Sequence, residues 1–139
     1  MTLSIRNQLP GTVTEVTPGE VMATVKLRLS GGQNLTAAIT REAAEDLALT
    51  PGTAVRALVK STEVSLATGH VEGLSIRNQL PGTVTRVTSG PAMAAVKIAV
   101  DGTELTAAIT KDAAADLSLA AGTPVVALIK STEVSLSTT

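Results

Sequence analysis

Leu3–Thr14 reads LSIRNQLPGTVT, and Leu74–Thr85 reads LSIRNQLPGTVT again. Working outward, LTAAIT at Leu35–Thr40 returns at Leu105–Thr110, and KSTEVSL at Lys60–Leu66 returns at Lys130–Leu136. The offset is 71 from Ser4 to Ser75 and 70 from Ser61 to Ser131, so one residue is missing between Val96 and Leu105. A hairpin loop absorbs such a loss where a strand or a site does not. The chain is therefore read as two tandem domains, 1–67 and 74–139, joined by a small Gly-containing linker at 68–73.

The segments between these blocks show the fold class. Ile5–Leu9 reads as a short extended piece stopped by the turn signal Pro10-Gly11, and Thr12–Thr17 as a Thr/Val-rich strand ended by Pro18-Gly19. Met22–Leu29 alternates, with Val25, Leu27 and Leu29 on one face and Thr24, Lys26 and Arg28 on the other. Ser30–Gln33 is a hairpin loop, shortened to the Asp101-Gly102 region in the second copy, and Leu35–Ile39 is the next strand. The period then changes: Thr40 stands at the N-cap of REAAEDLAL, with Glu42 in the first turn and Thr50-Pro51-Gly52 as the stop. Ala54–Val59 is a final buried strand, and Val64–Leu66 an added edge piece. The expected fold is all-β with one short helix per domain: two tandem five-stranded OB-type Greek-key barrels.

Composition narrows the function. With no Phe, Tyr, Trp or Cys, each repeat lacks aromatic burial and disulfides, so it is expected to gain stability by packing against copies of itself. No apolar run spans a bilayer and no signal peptide opens the chain, so the protein reads as soluble and cytoplasmic. The net charge of −1 gives no field that would recruit nucleic acid, and single-strand binding by an OB fold wants stacking aromatics that are absent. His70-Val71-Glu72 matches a deaminase H-x-E without its Cys partners, and Asn34-Leu35-Thr36 is a chance sequon. Neither a phosphate-binding P-loop nor a helix-turn-helix is present. No nucleophile–base pair assembles, so the chain is read as a non-enzyme with no catalytic residues.

The polar residues that recur without an evident core role are Ser4, Arg6, Asn7, Thr40, Lys60, Ser61 and Thr62, with Ser75, Arg77, Asn78, Thr110, Lys130, Ser131 and Thr132 as counterparts. Cations, hydroxyls and a helix start together suit a small oxyanion. Taken singly, each is better explained by a solvated strand face or a plain N-cap; their joint recurrence weakens that explanation, although a recent duplication keeps polar and apolar residues alike. Composition and pattern leave these two readings level.

The ordered blocks S-x-R-N-Q-L-x-G-x-V, L-T-A-x-I-T and K-S-T-E-V, each present twice, resemble the Mop or molbindin family of TOBE-type molybdate-binding domains. The resemblance covers almost the whole chain. It implies strand-exchanged OB barrels, a homotrimer of two-domain subunits, and sites at module interfaces. It also implies storage or homeostasis of molybdate, with tungstate as a mimic, no cofactor, and a metal bound as oxyanion rather than by side chains. Carried over, it places Ser4, Arg6, Thr40, Ala43, Lys60 and Ser61 on the anion, with Ser75, Arg77, Thr110, Ala113, Lys130 and Ser131 as the second set. Some relatives have Ser where Ala43 and Ala113 stand, leaving only a backbone N–H to donate there. A second class of site, around Gly19–Met22 and Gly90–Met93, meets a carboxylate at Glu20 and a lost donor at Pro91. An OB-type single-stranded nucleic-acid module and a purely structural trimerisation module are the alternatives. A salt-dependent oligonucleotide shift would favour the first, and no thermal response to any oxyanion the second.

Overall fold

The computed structural model describes residues 2–138. In the first repeat β1 is Asn7–Pro18, β2 Met22–Leu29, β3 Asn34–Thr40, α1 Arg41–Asp46, β4 Ala54–Val59 and β5 Ser65–Ala67, with a single 3-10 turn at Ser61–Glu63. The second repeat gives β6 Asn78–Ser89, β7 Met93–Val100, β8 Thr103–Thr110, α2 Lys111–Asp116, β9 Pro124–Ile129 and β10 Ser135–Ser137, with its 3-10 turn at Ser131–Glu133. Both units are five-stranded OB-type sheets carrying one short helix, in the orders β10-β4-β1-β2-β3 and β5-β9-β6-β7-β8. Each repeat's last strand thus completes the other repeat's sheet: Leu136 pairs with Ala57, and Leu66 with Ala127.

The alternation read in Met22–Leu29 is realised, with Ala23, Val25, Leu27 and Leu29 buried. The missing residue also falls where expected, because β7 and β8 are joined by Asp101-Gly102 alone. Both of those residues have positive φ (43° and 83°), which matches the twist of a two-residue hairpin.

Pro10-Gly11 is not a turn. The strand β1 runs straight through it and changes partner there, pairing with β4 over Asn7–Thr12 and with β2 over Gly11–Pro18. At Pro10 the β2 ladder has not begun, so the absent N–H forfeits little. Glycine follows because the backbones cross closely: a Cβ on Gly11 would sit 2.8 Å from the Arg28 carbonyl oxygen, and one on Gly82 2.6 Å from that of Ala99. The register slip between Val13 and Glu15, repeated between Val84 and Arg86, bends the strand further round the barrel.

The helix starts as read: the Ala43 N–H donates to Thr40 Oγ1 at 3.1 Å, and the Ala113 N–H to Thr110 Oγ1 at 3.1 Å. It ends before Thr50-Pro51-Gly52, in a reverse turn where Ala48 N–H donates to the Glu45 carbonyl and Leu49 N–H to that of Ala44. The residue that turns there is not glycine: Ala48 and Ser118 both sit at φ 52°. Ala48→Gly and Ser118→Gly should therefore each stabilise the chain by about 0.5–1 kcal/mol, a rise of about 2–4 °C in Tm by calorimetry.

The two repeats do not have separate interiors. Leu9, Val25, Leu27 and Leu35 of the first and Leu80, Val96, Ile98 and Leu105 of the second belong to one continuous apolar cluster. Gln33 Nε2 also donates to Asp101 Oδ2 at 2.7 Å, tying the two hairpin loops together.

Candidate functional site

Ser4–Arg6 lies just ahead of β1, exposed at Ser4 and Arg6. Gln8 Nε2 donates back to the Ile5 carbonyl at 3.1 Å, and Gln79 does the same to Ile76, fixing the segment's path. Because Asn7 pairs with Val59, the next residue of β4's chain, Lys60, emerges beside Arg6; Asn78 and Ile129 set Lys130 beside Arg77 in the same way. Lys60 is extended and exposed, and the 3-10 turn that follows is closed by the Glu63 N–H donating to the Lys60 carbonyl at 2.9 Å. Inside that turn Ser61 Oγ is buried with no hydrogen-bond partner among the described residues, and Ser131 Oγ repeats the condition. A buried hydroxyl without a partner is uncommon and calls for an explanation.

The arrangement is composite across the repeats. The turn Ser61–Glu63 packs on β8 of the second repeat, and Ser131–Glu133 on β3 of the first. The structure brings Arg6 beside Lys60 and Ser61, and Arg77 beside Lys130 and Ser131, with Ser4 and Ser75 two residues before each Arg. Neither Arg6, Arg77, Lys60 nor Lys130 forms an ion pair among the described residues. A hollow of about 140 Å³ beside Lys60 is also lined by Glu63 and Glu133, whose charge would repel a dianion.

Thr40 lies elsewhere. It lines a different hollow, of about 500 Å³, with Glu20, Val21, Arg41, Glu42 and Glu45. Arg41 is engaged by Glu45 at 3.8 Å and by the Gly19 carbonyl at 3.3 Å. The Ala43 and Ala113 N–H groups, expected as donors to the anion, are occupied by their caps; what remains is the hydroxyl hydrogen of Thr40 or Thr110. Another hollow, about 540 Å³ beside Gly11, Arg28 and Arg56, holds none of the expected residues.

One correction concerns Asn7 and Asn78, grouped in the sequence with residues the core does not need. They are 2% and 3% exposed, and each side-chain amide donates one hydrogen bond and accepts one. The signal was present in the period: Asn7 shares its face of β1 with Leu9, Gly11 and Val13. Among the described residues no group of three or more His, Cys, Asp or Glu could hold a metal ion, and no helix is long and apolar enough to cross a membrane.

Twin OB-type barrels with a doubled cation–hydroxyl cluster define a class, and the chain belongs to the TOBE domain family, which matches it over residues 3–66 and 74–136. It is similar to the molybdenum-pterin-binding protein MopA of Rhodobacter capsulatus, 42% identical over 138 residues, covering 98% of this chain and 52% of that protein. It is likewise similar to the molybdenum transport protein ModE of Azotobacter vinelandii, 39% identical over 137 residues and covering 98% and 51%. The chain thus spans about half the length of these relatives. Among solved structures it matches the cytoplasmic molybdate-binding protein ModG, crystallised with molybdate, at TM-score 0.96 and 40% identity over 100% of both chains.

Proposed function

We propose that this chain binds molybdate, with tungstate as a close mimic, and holds it in the cytoplasm for molybdenum storage or homeostasis, without catalysing a reaction. The observation that carries this reading is the pair of buried hydroxyls, Ser61 Oγ and Ser131 Oγ, without hydrogen-bond partners among the described residues, each beside a Lys and an Arg that form no ion pair among them. A tetrahedral dianion has only acceptors, and the Arg, the Lys and the Ser hydroxyl of each cluster can all donate to it. The likeness to ModG, in a structure holding molybdate, supports the choice of ion.

The site is completed by a second copy of the chain, in a homotrimer. Thr40 and Lys60 line different hollows of one chain, which fits a site where Thr40 comes from a neighbour. The exposed apolar residues support this arrangement, since they flank the same segments. Leu3 and Leu74 precede Ser4 and Ser75, while Met22 pairs with Thr40 and Met93 with Thr110. Val21, 71% exposed, lines the Thr40 hollow itself.

Melting scans with molybdate, tungstate, sulfate and phosphate at equal ionic strength test the reading. The first two should raise Tm, by an amount equivalent to about 2.7 kcal/mol at a hundredfold excess over Kd. Equal small shifts with all four ions would refute it. The nucleic-acid reading is disfavoured by the absence of aromatic side chains and of net positive charge; a steep salt-dependent oligonucleotide complex would reinstate it.

A further inference from the structure

Asn7 and Asn78 do something that packing does not require. The strands β3 and β8 are the outer strands of their sheets, and each has a peptide group facing away from its neighbour strand. At Thr106 the N–H donates to Asn7 Oδ1 and the carbonyl accepts from Asn7 Nδ2, both at 2.8 Å. At Thr36 the same pair of bonds, both 2.8 Å, is made with Asn78. A side-chain amide can present one N–H and its C=O side by side, so each Asn acts as a one-residue strand added to the other repeat's edge. Aspartate lacks the donor, glutamine is a methylene longer, and alanine offers neither group.

The position of each Asn gives the contact a consequence. Asn7 follows Arg6 in the chain, and its backbone is paired with Val59, the residue before Lys60 and Ser61. Its side chain holds Thr106, four residues before the Thr110 cap on the same strand. The Ser61–Glu63 turn packs on that strand as well. One buried residue therefore links the Arg–Lys–Ser cluster of one repeat to the strand of the other. We infer that Asn7 and Asn78 are positioning residues for the oxyanion sites, clamping each donor cluster onto the neighbouring repeat's edge strand. This rests on the function proposed above.

The test is a calorimetric titration of the full chain with molybdate, well below Tm, alongside hydrogen exchange. Asn7→Ala should weaken the site served by Arg6 and Lys60 at least tenfold and leave the Arg77–Lys130 site intact, splitting the titration into two unequal steps. Asn78→Ala should do the reverse. Exchange should quicken locally, at the Thr106 amide and through Ser61–Glu63 in Asn7→Ala, and at the Thr36 amide and through Ser131–Glu133 in Asn78→Ala. If either variant fails to fold, Asn→Asp at the same position, which preserves volume and the acceptor, takes its place with the same expectation. Unchanged affinity and stoichiometry with a lowered Tm would make these residues merely structural and overturn the inference. A wild-type chain that takes up no molybdate would remove the proposed function, and with it the positioning role. The clamp would still be judged by exchange, where no local quickening would refute it.

Discussion

Lys60→Ala combined with Lys130→Ala should cut the rise in Tm that molybdate causes by about half or more, while the ligand-free transition stays within about 0.5 kcal/mol of wild type. The second half follows from the surroundings: both lysines are exposed and without ion pairs among the described residues, and changes at such positions are close to neutral for folding. The first half follows from the chemistry. A hydrogen bond from a charged donor is worth about 1.5–3 kcal/mol, so each site loses roughly tenfold to a hundredfold in affinity. At a ligand concentration that stabilises wild type by about 2.7 kcal/mol, a hundredfold loss leaves about 0.4 kcal/mol. Paired calorimetric scans with and without molybdate read this directly. A full shift in the double variant would mean that other cations hold the ion.

The second large effect is architectural. A chain cut once within the exposed linker at residues 68–73 should stay a single particle with a single melting transition. The two pieces exchange β5 and β10 and share one apolar cluster, so no covalent bond is needed to hold them together. The corresponding fragment, residues 1–68, has no β10 to cover the edge of β4. Its own β5 carries the same KSTEVSL sequence context as β10, so it should fold only as a dimer that exchanges β5, with a Tm that rises with concentration. Size-exclusion chromatography and concentration-dependent melting check both outcomes. A fragment that melts as a concentration-independent folded monomer would contradict the shared interior.

What could be read from the sequence, and what could not, divides along physical lines. The alternation of Met22–Leu29 and the Thr40 cap are local, and both held because tertiary context agrees with them. Pro10-Gly11 misled for a local reason: it carries a turn signal, but here it marks the point where β1 passes from β4 to β2, which only the closed sheet shows. The helix stopped short of Pro51 because its C-terminal turn is set by backbone bonds to Glu45 and Ala44, with an alanine where glycine is usual. Strand exchange could not be read from the residues themselves. The stretches Lys60–Leu66 and Lys130–Leu136 are identical, so pairing chemistry cannot choose between β4 and β9, and only chain geometry does.

The candidate site was legible in part. Recurrence singles out Arg6 and Lys60, and the register of β1 with β4 sets them side by side. Asn7 reads from its polarity as surplus to the core, yet it lies in the inward-facing period of β1. That Thr40 and Lys60 line separate hollows was beyond the sequence, since it depends on how the barrels pack.

The central claim, that this chain is a selective oxyanion binder with one donor cluster per repeat, is tested most directly by equilibrium dialysis against molybdate, with and without a large excess of sulfate. Bound molybdenum is then counted by elemental analysis. The account predicts at least two molybdate ions per chain, one for each Arg–Lys–Ser cluster, retained when sulfate is in excess. No bound molybdenum, or molybdenum displaced by sulfate in simple proportion to its concentration, would contradict it.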